Sequence, residues 1–315
     1  MNYRKLKNYL IRSYTLLTIG IVAISLTACG GEPARGPAAN GAAVSEVKNK
    51  INGEQPVAEK TAPEKEQPTV AADGAKFGVL KGQIKYVGVP PQPAQIPADP
   101  KVAVCFQQAK FYENLVVSKN LEVANVVVFL KNKADQKLAV DPAVEKALPA
   151  VVSLDNRDCR FVPHIVTLTV GQTLKILNSD TFGHNSNLTP FVSPTANPTI
   201  AAGESFQLKL EKPENLPFKV SCGIHPWMGG WIVVRENPFV SVSGNDGKFA
   251  INGIPEGEYE FVFWQEQGGY LKEIVIGGES ISLKAGRLKR KIVAGDNDLG
   301  EIKAEAKNFE DQNKK

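Results

Sequence analysis

Short segments of alternating apolar and polar residues fill the chain from Phe77 onward, and they constrain its fold more than any other feature. In "ESFQLKLE", for example, Phe206, Leu208 and Leu210 share one face, and the polar residues between them take the other. Such period-two alternation between turn signals is typical of strands that bury one face. We therefore predict an all-β fold built from sandwiches, with no long helix before the C-terminal tail.

The N-terminus has the pattern of an export signal over residues 1–28. An apolar run, "YTLLTIGIVAISLTAC", ends in small residues before Cys29 and is shorter than the ~20 residues of a spanning helix. The run follows four cations, Arg4, Lys5, Lys7 and Arg12.

The end of this run, "LTAC", resembles the bacterial lipobox, which implies that Cys29 is lipidated and becomes the first mature residue. The chain would then be exported and lipid-anchored on the periplasmic or cell-surface side of a bacterial membrane. By analogy with lipoprotein sorting, Gly30 rather than Asp after Cys29 favours the outer membrane. An uncleaved anchor is the alternative, and it also leaves the rest of the chain outside the cytoplasm.

Residues 29–76 are rich in Ala, Pro, Glu, Lys and Gly. No aromatic residue occurs between 30 and 75, so this stretch cannot bury enough apolar surface to fold, and we predict a disordered tether. At the other end, residues 301–315 fit either a frayed helix or disorder, and 306–315 is predicted to be a polar tail.

Loss of the signal also changes the charge of the chain. Removing its four cations from the formal net charge of +4 leaves a mature chain with no net charge. Nothing in that balance indicates nucleic-acid binding by a basic surface.

The stretch "VSCGIHPWMGG" places three metal-ligand types, Cys222, His225 and Met228, three residues apart. In the preceding strand Phe218 and Val220 share the core face, and Cys222 has the same phase, so it should point inward. The turn residues that follow would bring the three side chains toward one point.

A fourth ligand must come from elsewhere in a chain with three histidines and two methionines, one of them the initiator. His184, in the loop segment "LNSDTFGHNSN", is the better candidate; His164 begins a strand and better fits a structural role. Two histidines, a thiolate and a weak thioether form a copper set. Zinc would prefer carboxylate, histidine or further thiolates to a thioether.

The motifs N-x-D-x-x-x-H-N at Asn178–Asn185 and C-x-x-H-P-W-M at Cys222–Met228 resemble those of the cupredoxin (blue, type 1 copper) family, with the short ligand loop of amicyanin-like rather than plastocyanin-like members. The resemblance covers about residues 150–236 and implies a Greek-key β-sandwich holding one copper ion. It makes His184, Cys222 and His225 equatorial ligands and Met228 the axial one. It also implies that Asn185 ties the two ligand loops together, and that the carbonyl of Gly183 approaches the metal.

A second stretch, "DGKFAINGIPEGEY", resembles the carboxypeptidase regulatory-like (transthyretin-type) β-sandwich. That family begins with strands like those in "GVLKGQIKYVG" and "ANVVVFLKN", which here lie before the cupredoxin segment. Residues 77–149 would then be the first half of this sandwich and 237–305 the rest, with the cupredoxin inserted between them. The alternative is a cupredoxin with a long N-terminal extension and a separate C-terminal sandwich.

Three cysteines remain once Cys29 is lipidated, and sequence alone allows any of the three pairings. A metal-bound Cys222 favours a disulfide between Cys105 and Cys159, which would tie the two modules together.

A copper ion with four protein ligands has no open position for a substrate, so we predict outer-sphere electron transfer rather than an enzyme with a small-molecule substrate. His225 is expected to reach the surface, with Pro226 and Trp227 as a docking patch for an unidentified redox partner; Trp227 and Trp231 also fit plain packing roles. The alternative is a lipoprotein that sequesters or delivers copper, or that binds a surface partner. Exposed Met or His runs, usual in copper carriers of that kind, are missing from the sequence.

Overall fold

The computed structural model describes residues 76–131 and 137–311. The predicted export signal, Cys29, the tether up to residue 75 and the last four residues of the tail lie outside these ranges. No helix within them is long and apolar enough to cross a membrane.

The described chain is almost entirely β-structure, which confirms the predicted fold class. Its one α-helix, α1, is Pro142–Ala147, and two 3-10 helices cover Pro100–Phe106 and Ala306–Phe309. The strands are β1 Phe77–Val87, β2 Val126–Leu130, β3 Val151–Arg157, β4 Arg160–Val162, β5 Ile165–Thr169, β6 Thr173–Asn178, β7 His184–Asn185, β8 Asn187–Leu188, β9 Thr199–Ile200, β10 Ser205–Lys209, β11 Phe218–Ser221, β12 Gly229–Arg235, β13 Val240–Val242, β14 Lys248–Pro255, β15 Gly257–Gln265, β16 Gly269–Tyr270, β17 Glu273–Ile276, β18 Glu279–Ser282, β19 Arg287–Ile292 and β20 Gly295–Glu305.

One sandwich, called here the split sandwich, is assembled from both ends of the described chain. Its first sheet has the order β14-β1-β20-β17-β18, and its second has the order β13-β2-β15-β16 with β19 also paired to β15. β1 alternates between buried and half-buried positions along almost its whole length, as the sequence pattern requires. The two earliest strands therefore pair with strands that follow residue 239.

The strands from β3 to β12 form another sandwich, called here the inserted sandwich. Its sheets have the orders β10-β6-β3-β4 and β5-β12-β11-β8, and β7 and β9 form a small separate ladder. β3 pairs with β6, and β5 with β12, in parallel. The shared core includes Leu154, Leu174, Ile176, Phe218 and Ile232, each fully buried.

The two sandwiches share an apolar interface. On β2, Val126, Val128 and Leu130 face the core of the split sandwich, whereas Val127 and Phe129 face the inserted one. Strands β5, β12 and β15 contribute to the same interface, at Ile165, Val233, Val262 and Trp264. These strands are buried on both faces, which explains why β2 is a continuous β-branched and aromatic run rather than an alternating one.

The C-terminal segment differs from the predicted frayed helix or disordered polar tail. Residues 301–305 complete the long strand β20, and Phe309 is 2% exposed and stacks on Tyr86 with ring centroids 5.4 Å apart. Asn308, fully buried, accepts hydrogen bonds from the main-chain N–H groups of Lys272 and Glu273 at 2.7 and 3.2 Å. A buried aromatic ring and a satisfied amide hold this segment against the core, although its composition is polar.

Candidate metal centre

The loop after β11 brings its ligand-type side chains inward. Phe218 and Val220 on β11 are fully buried, and Cys222, in the same phase, is 3% exposed. The loop closes through two main-chain hydrogen bonds, from Met228 N–H to the His225 carbonyl at 2.8 Å and from Cys222 N–H to the Met228 carbonyl at 3.2 Å. These bonds fix the loop as a compact turn rather than a mobile connection.

His184 reaches the same point from the other side of the core. It lies on the two-residue strand β7, paired with Ile200, and is fully buried. The side-chain amide of Asn178 donates to the carbonyls of Phe182 and Ile200 at 2.8 and 2.9 Å, which holds the β6–β7 turn in place.

His184, Cys222 and His225 form a buried cluster that can hold a metal ion. The Cys222 Sγ lies 3.9 Å from His184 Nδ1 and 3.7 Å from His225 Nδ1, and the two Nδ1 atoms are 3.0 Å apart. Metal–ligand bonds of about 2.0–2.3 Å span separations of this size from one central ion. The three donor atoms are therefore arranged for a single shared ion.

Met228, the predicted axial ligand, is 2% exposed and packs in the same hydrophobic core as Cys222. Two imidazoles and a thiolate suit either copper or zinc, and a buried thioether in the same core favours copper as the ion that would be held. The residues present thus fit the metal that the sequence predicts.

Asn185 ties the two ligand loops together in the structure. Its Oδ1 accepts a hydrogen bond from Gly223 N–H at 2.8 Å and lies 3.3 Å from Cys222 Sγ. Its amide donates to Asn197 Oδ1 at 2.7 Å. Gly183 directly precedes His184 and has room for a side chain, since an added Cβ would meet only the Ile200 carbonyl at 3.8 Å; the approach of its carbonyl to a metal stays a prediction.

Asp180 also contacts the cluster, although it is not among the residues predicted from the sequence. Its Oδ2 lies 2.8 Å from His184 Nε2, and its two oxygens accept hydrogen bonds from Asp158 and Cys159 N–H at 2.7 and 2.9 Å. A carboxylate on the remote nitrogen of a ligand histidine fixes its tautomer and ring orientation. The i, i+4 spacing of Asp180 and His184 within N-x-D-x-x-x-H-N was the available signal.

The surroundings of the cluster shift the pKa values of its three residues in different directions. Burial would raise the pKa of Cys222, but hydrogen bonds from His184 and from main-chain groups lower it overall. Burial and the neighbouring charge of His184 lower the pKa of His225. Burial also opposes protonation of His184, yet its contacts with Cys222 and Asp180 raise its pKa. The lowered pKa values of Cys222 and His225 favour the deprotonated forms that bind a metal, whereas a metal at His184 would have to displace a proton whose binding is strengthened there.

His225 does not reach the surface, contrary to the sequence-based expectation. It is 2% exposed, because the rings of Phe182 and Trp227 pack against it with centroids 5.7 and 5.3 Å away. Of the predicted docking patch, Pro226 is exposed, but Trp227 is only half-exposed.

Cys105 and Cys159 form a disulfide, and Cys222 is the free cysteine among the described residues. The bond joins the 3-10 helix that follows β1 to the turn between β3 and β4, so it connects a segment of the split sandwich to the inserted one.

His164 lies apart from the His184–Cys222–His225 cluster, at the interface of the two sandwiches. Its Nε2 is 2.5 Å from Glu266 Oε1, and Glu266 also accepts a hydrogen bond from the indole N–H of Trp231. Trp231 in turn packs edge-on against Trp264 at 4.9 Å. His164 and Trp231 therefore have packing and hydrogen-bonding roles in the structure.

No family model and no curated protein matches the chain. Among solved structures, a copper-containing nitrite reductase from Thermus scotoductus SA-01 is 24% identical over 32% of this chain and 28% of that one, with a TM-score of 0.27. An amicyanin mutant is 19% identical over 27% of this chain and 83% of that one, with a TM-score of 0.25. A Cu(I) form of another amicyanin mutant is 18% identical over 35% and 99%, with a TM-score of 0.25. None of these values assigns the chain to a family. The fold and the cluster define a β-sandwich protein with a buried His–Cys–His site that can hold a metal ion.

Proposed function

We propose that this chain is a mononuclear type 1 copper protein that carries electrons by outer-sphere transfer. The observation that carries the proposal is the buried cluster of His184, Cys222 and His225, with the thioether of Met228 in the same core. The bound copper would supply a one-electron Cu(I)/Cu(II) couple.

The protein's own residues support such a role by holding the site rigid and dry. The hydrogen bonds that close the Cys222–Met228 turn, and those that Asn185 makes to the opposite loop, restrain the positions of the donor residues. With Met228 as the fourth donor, the copper would have no position open for a substrate, and the third histidine, His164, is engaged with Glu266. We therefore propose a carrier without enzymatic activity of its own, which exchanges electrons with other redox proteins.

The test of this proposal is the colour of the copper-loaded protein. We expect an intense visible thiolate-to-copper band that disappears in Cys222→Ser, because the serine hydroxyl cannot supply the soft, charge-donating sulfur. His164→Gln, which removes a histidine away from the cluster, should keep the band.

A colourless Cu(II) form, or colour that persists in Cys222→Ser, would refute the proposal. Repeated reduction and reoxidation with constant copper content separates a carrier from a delivery protein, which would lose copper to an acceptor on each cycle.

We also propose that the chain is exported and attached to a bacterial membrane, with the outer membrane favoured, through lipid on Cys29. The support is the sequence pattern of residues 1–29 alone. Expressed at full length in a bacterium, the wild type should incorporate labelled fatty acid, and Cys29→Ser should not. Equal labelling of both chains would rule out this anchor.

A further inference from the structure

A segment of the split sandwich packs on the inserted sandwich near the His184–Cys222–His225 cluster. This segment, called here the strap, covers residues 94–113, between β1 and β2. Main-chain hydrogen bonds from Ile96 N–H to the Lys110 carbonyl and from Tyr112 N–H to the Ala94 carbonyl, at 2.9 and 3.0 Å, hold its two arms together. The strap is therefore an ordered hairpin-like loop rather than a slack connection.

The strap is fastened to the turn between β3 and β4 at several points. The Cys105–Cys159 disulfide is the covalent one, and Cys105 is 1% exposed within the core of the inserted sandwich. Beside it, the buried Lys110 forms an ion pair with Asp158 at 2.7 Å. Arg160 pairs with Glu113 at 2.9 Å at the end of the same turn.

The main chain of Cys159 contacts the surroundings of both ligand histidines. Its N–H donates to Asp180 Oδ2, the oxygen that also faces His184 Nε2. Its carbonyl accepts a hydrogen bond at 3.3 Å from the indole N–H of Trp227, whose ring packs on His225. Cys159 therefore contacts both Asp180, which faces His184, and Trp227, which packs on His225.

This turn adopts a conformation that needs support. Asp158 and Cys159 have φ of 54° and 53°, a left-handed pair that β-hairpin turns usually assign to Asn and Gly. The disulfide on Cys159 and the carboxylate of Asp180, which binds both N–H groups, hold the turn in that conformation.

The strap also covers His225, through Trp227. Phe106, at the end of the 3-10 helix that carries Cys105, packs against Trp227 with ring centroids 4.8 Å apart. Trp227 lies between Phe106 and His225, so the strap forms the outer layer of this stack and contributes to the burial of the histidine.

We propose that the strap is a positioning element of the metal centre: its disulfide and Phe106 hold Asp180 and Trp227 against His184 and His225 and keep water from His225. This inference rests on the proposed copper site for its effect on the metal, but its effect on His225 does not require metal. Phe106 and Cys159 are positioning residues, because they act through Asp180 and Trp227.

The experiment compares Phe106→Ala and the double variant Cys105→Ala/Cys159→Ala with the wild type as full-length protein. Val104→Ala is the matched control, since Val104 lies on the same 3-10 helix and is 48% exposed. In metal-free protein, the rate at which diethylpyrocarbonate modifies His225 is followed by peptide mapping. Copper affinity is then measured by competition with a chelator, and circular dichroism establishes that each variant is folded.

We expect His225 to react several-fold faster in both strap variants and copper to bind roughly tenfold more weakly, as is usual when a group that orients a metal ligand is lost. Val104→Ala should match the wild type in both measurements. If the double variant does not fold, Phe106→Ala decides, because a half-buried side chain is removed without breaking the covalent link.

Folded variants that keep wild-type protection of His225 and wild-type copper affinity would overturn the inference. Faster modification of His225 with unchanged copper affinity would overturn the part of the inference that concerns metal binding. A wild-type protein that binds no copper refutes the proposed function instead, and the modification rates still decide whether the strap covers His225.

Discussion

At the scale of single residues, Asp180 links the cluster to the surrounding fold. Its Oδ2 faces His184 and the N–H of Cys159, and its Oδ1 accepts from the N–H of Asp158. The carboxylate is thus held from one side while it orients the imidazole on the other. A carboxylate that contacts one ring nitrogen of a histidine determines which ring nitrogen is available to a metal.

Replacing Asp180 by Asn should weaken copper binding by roughly tenfold, because a neutral amide stabilises the required tautomer of His184 less well. Competition with a chelator measures the affinity, and the absorption spectrum shows whether ligand geometry changes. Asp298→Asn is a matched control, since Asp298 is an exposed carboxylate on β20 of the split sandwich. Equal affinities for the wild type and Asp180→Asn would contradict the assigned role.

At the scale of elements, the strands at the interface between the sandwiches depart most from apolar–polar alternation. On β15, Phe261 and Phe263 face the split core, whereas Val262 and Trp264 face the inserted sandwich. On β12, Ile232 and Val234 face the inserted core and Val233 faces the split sandwich. A strand packed on both faces loses its alternation, so its apolar run identifies it as buried without revealing what lies on each side.

At the scale of the whole molecule, a buried polar network accompanies the apolar interface. His164, directly before β5 of the inserted sandwich, contacts Glu266, directly after β15 of the split sandwich. Glu113 of the strap lies 3.7 Å from His164 Nδ1, and Arg160 pairs with Glu113. Burial would lower the pKa of His164, but the two carboxylates outweigh both burial and the opposing charge of Arg160, and they raise it.

This network predicts a pH-dependent contribution to stability. Because the folded-state pKa of His164 is raised, its stabilisation is fully present below the unfolded pKa of about 6.5 and is lost as the pH rises through the folded value. Glu266→Gln should therefore reduce the free energy of unfolding by about 1–2 kcal/mol at acidic pH, and by less as the pH increases.

Urea unfolding of the metal-free protein over a pH series measures this difference. Glu258→Gln, an exposed change on β15, should show no such trend with pH. A difference between the wild type and Glu266→Gln that stays constant from acidic to alkaline pH would exclude His164 as its source.

The sequence by itself determined the class of fold and the members of the cluster. Alternation is a local property of strands, and the phase of Phe218 and Val220 already directs Cys222 inward. The chemistry of ligand types, and the small number of histidines available, then selected His184 over His164.

Only the tertiary structure decided the surroundings of that cluster. Several of these features depend on contacts between residues far apart in the chain, or on contacts that follow no periodic pattern. They are the strap, the contact of Asp180 with Cys159, the burial of His225 and the docking of Phe309. Such contacts depend on how the sandwiches pack. Packing joins surfaces that exist only once the chain has folded, so it leaves no local pattern in the order of residues.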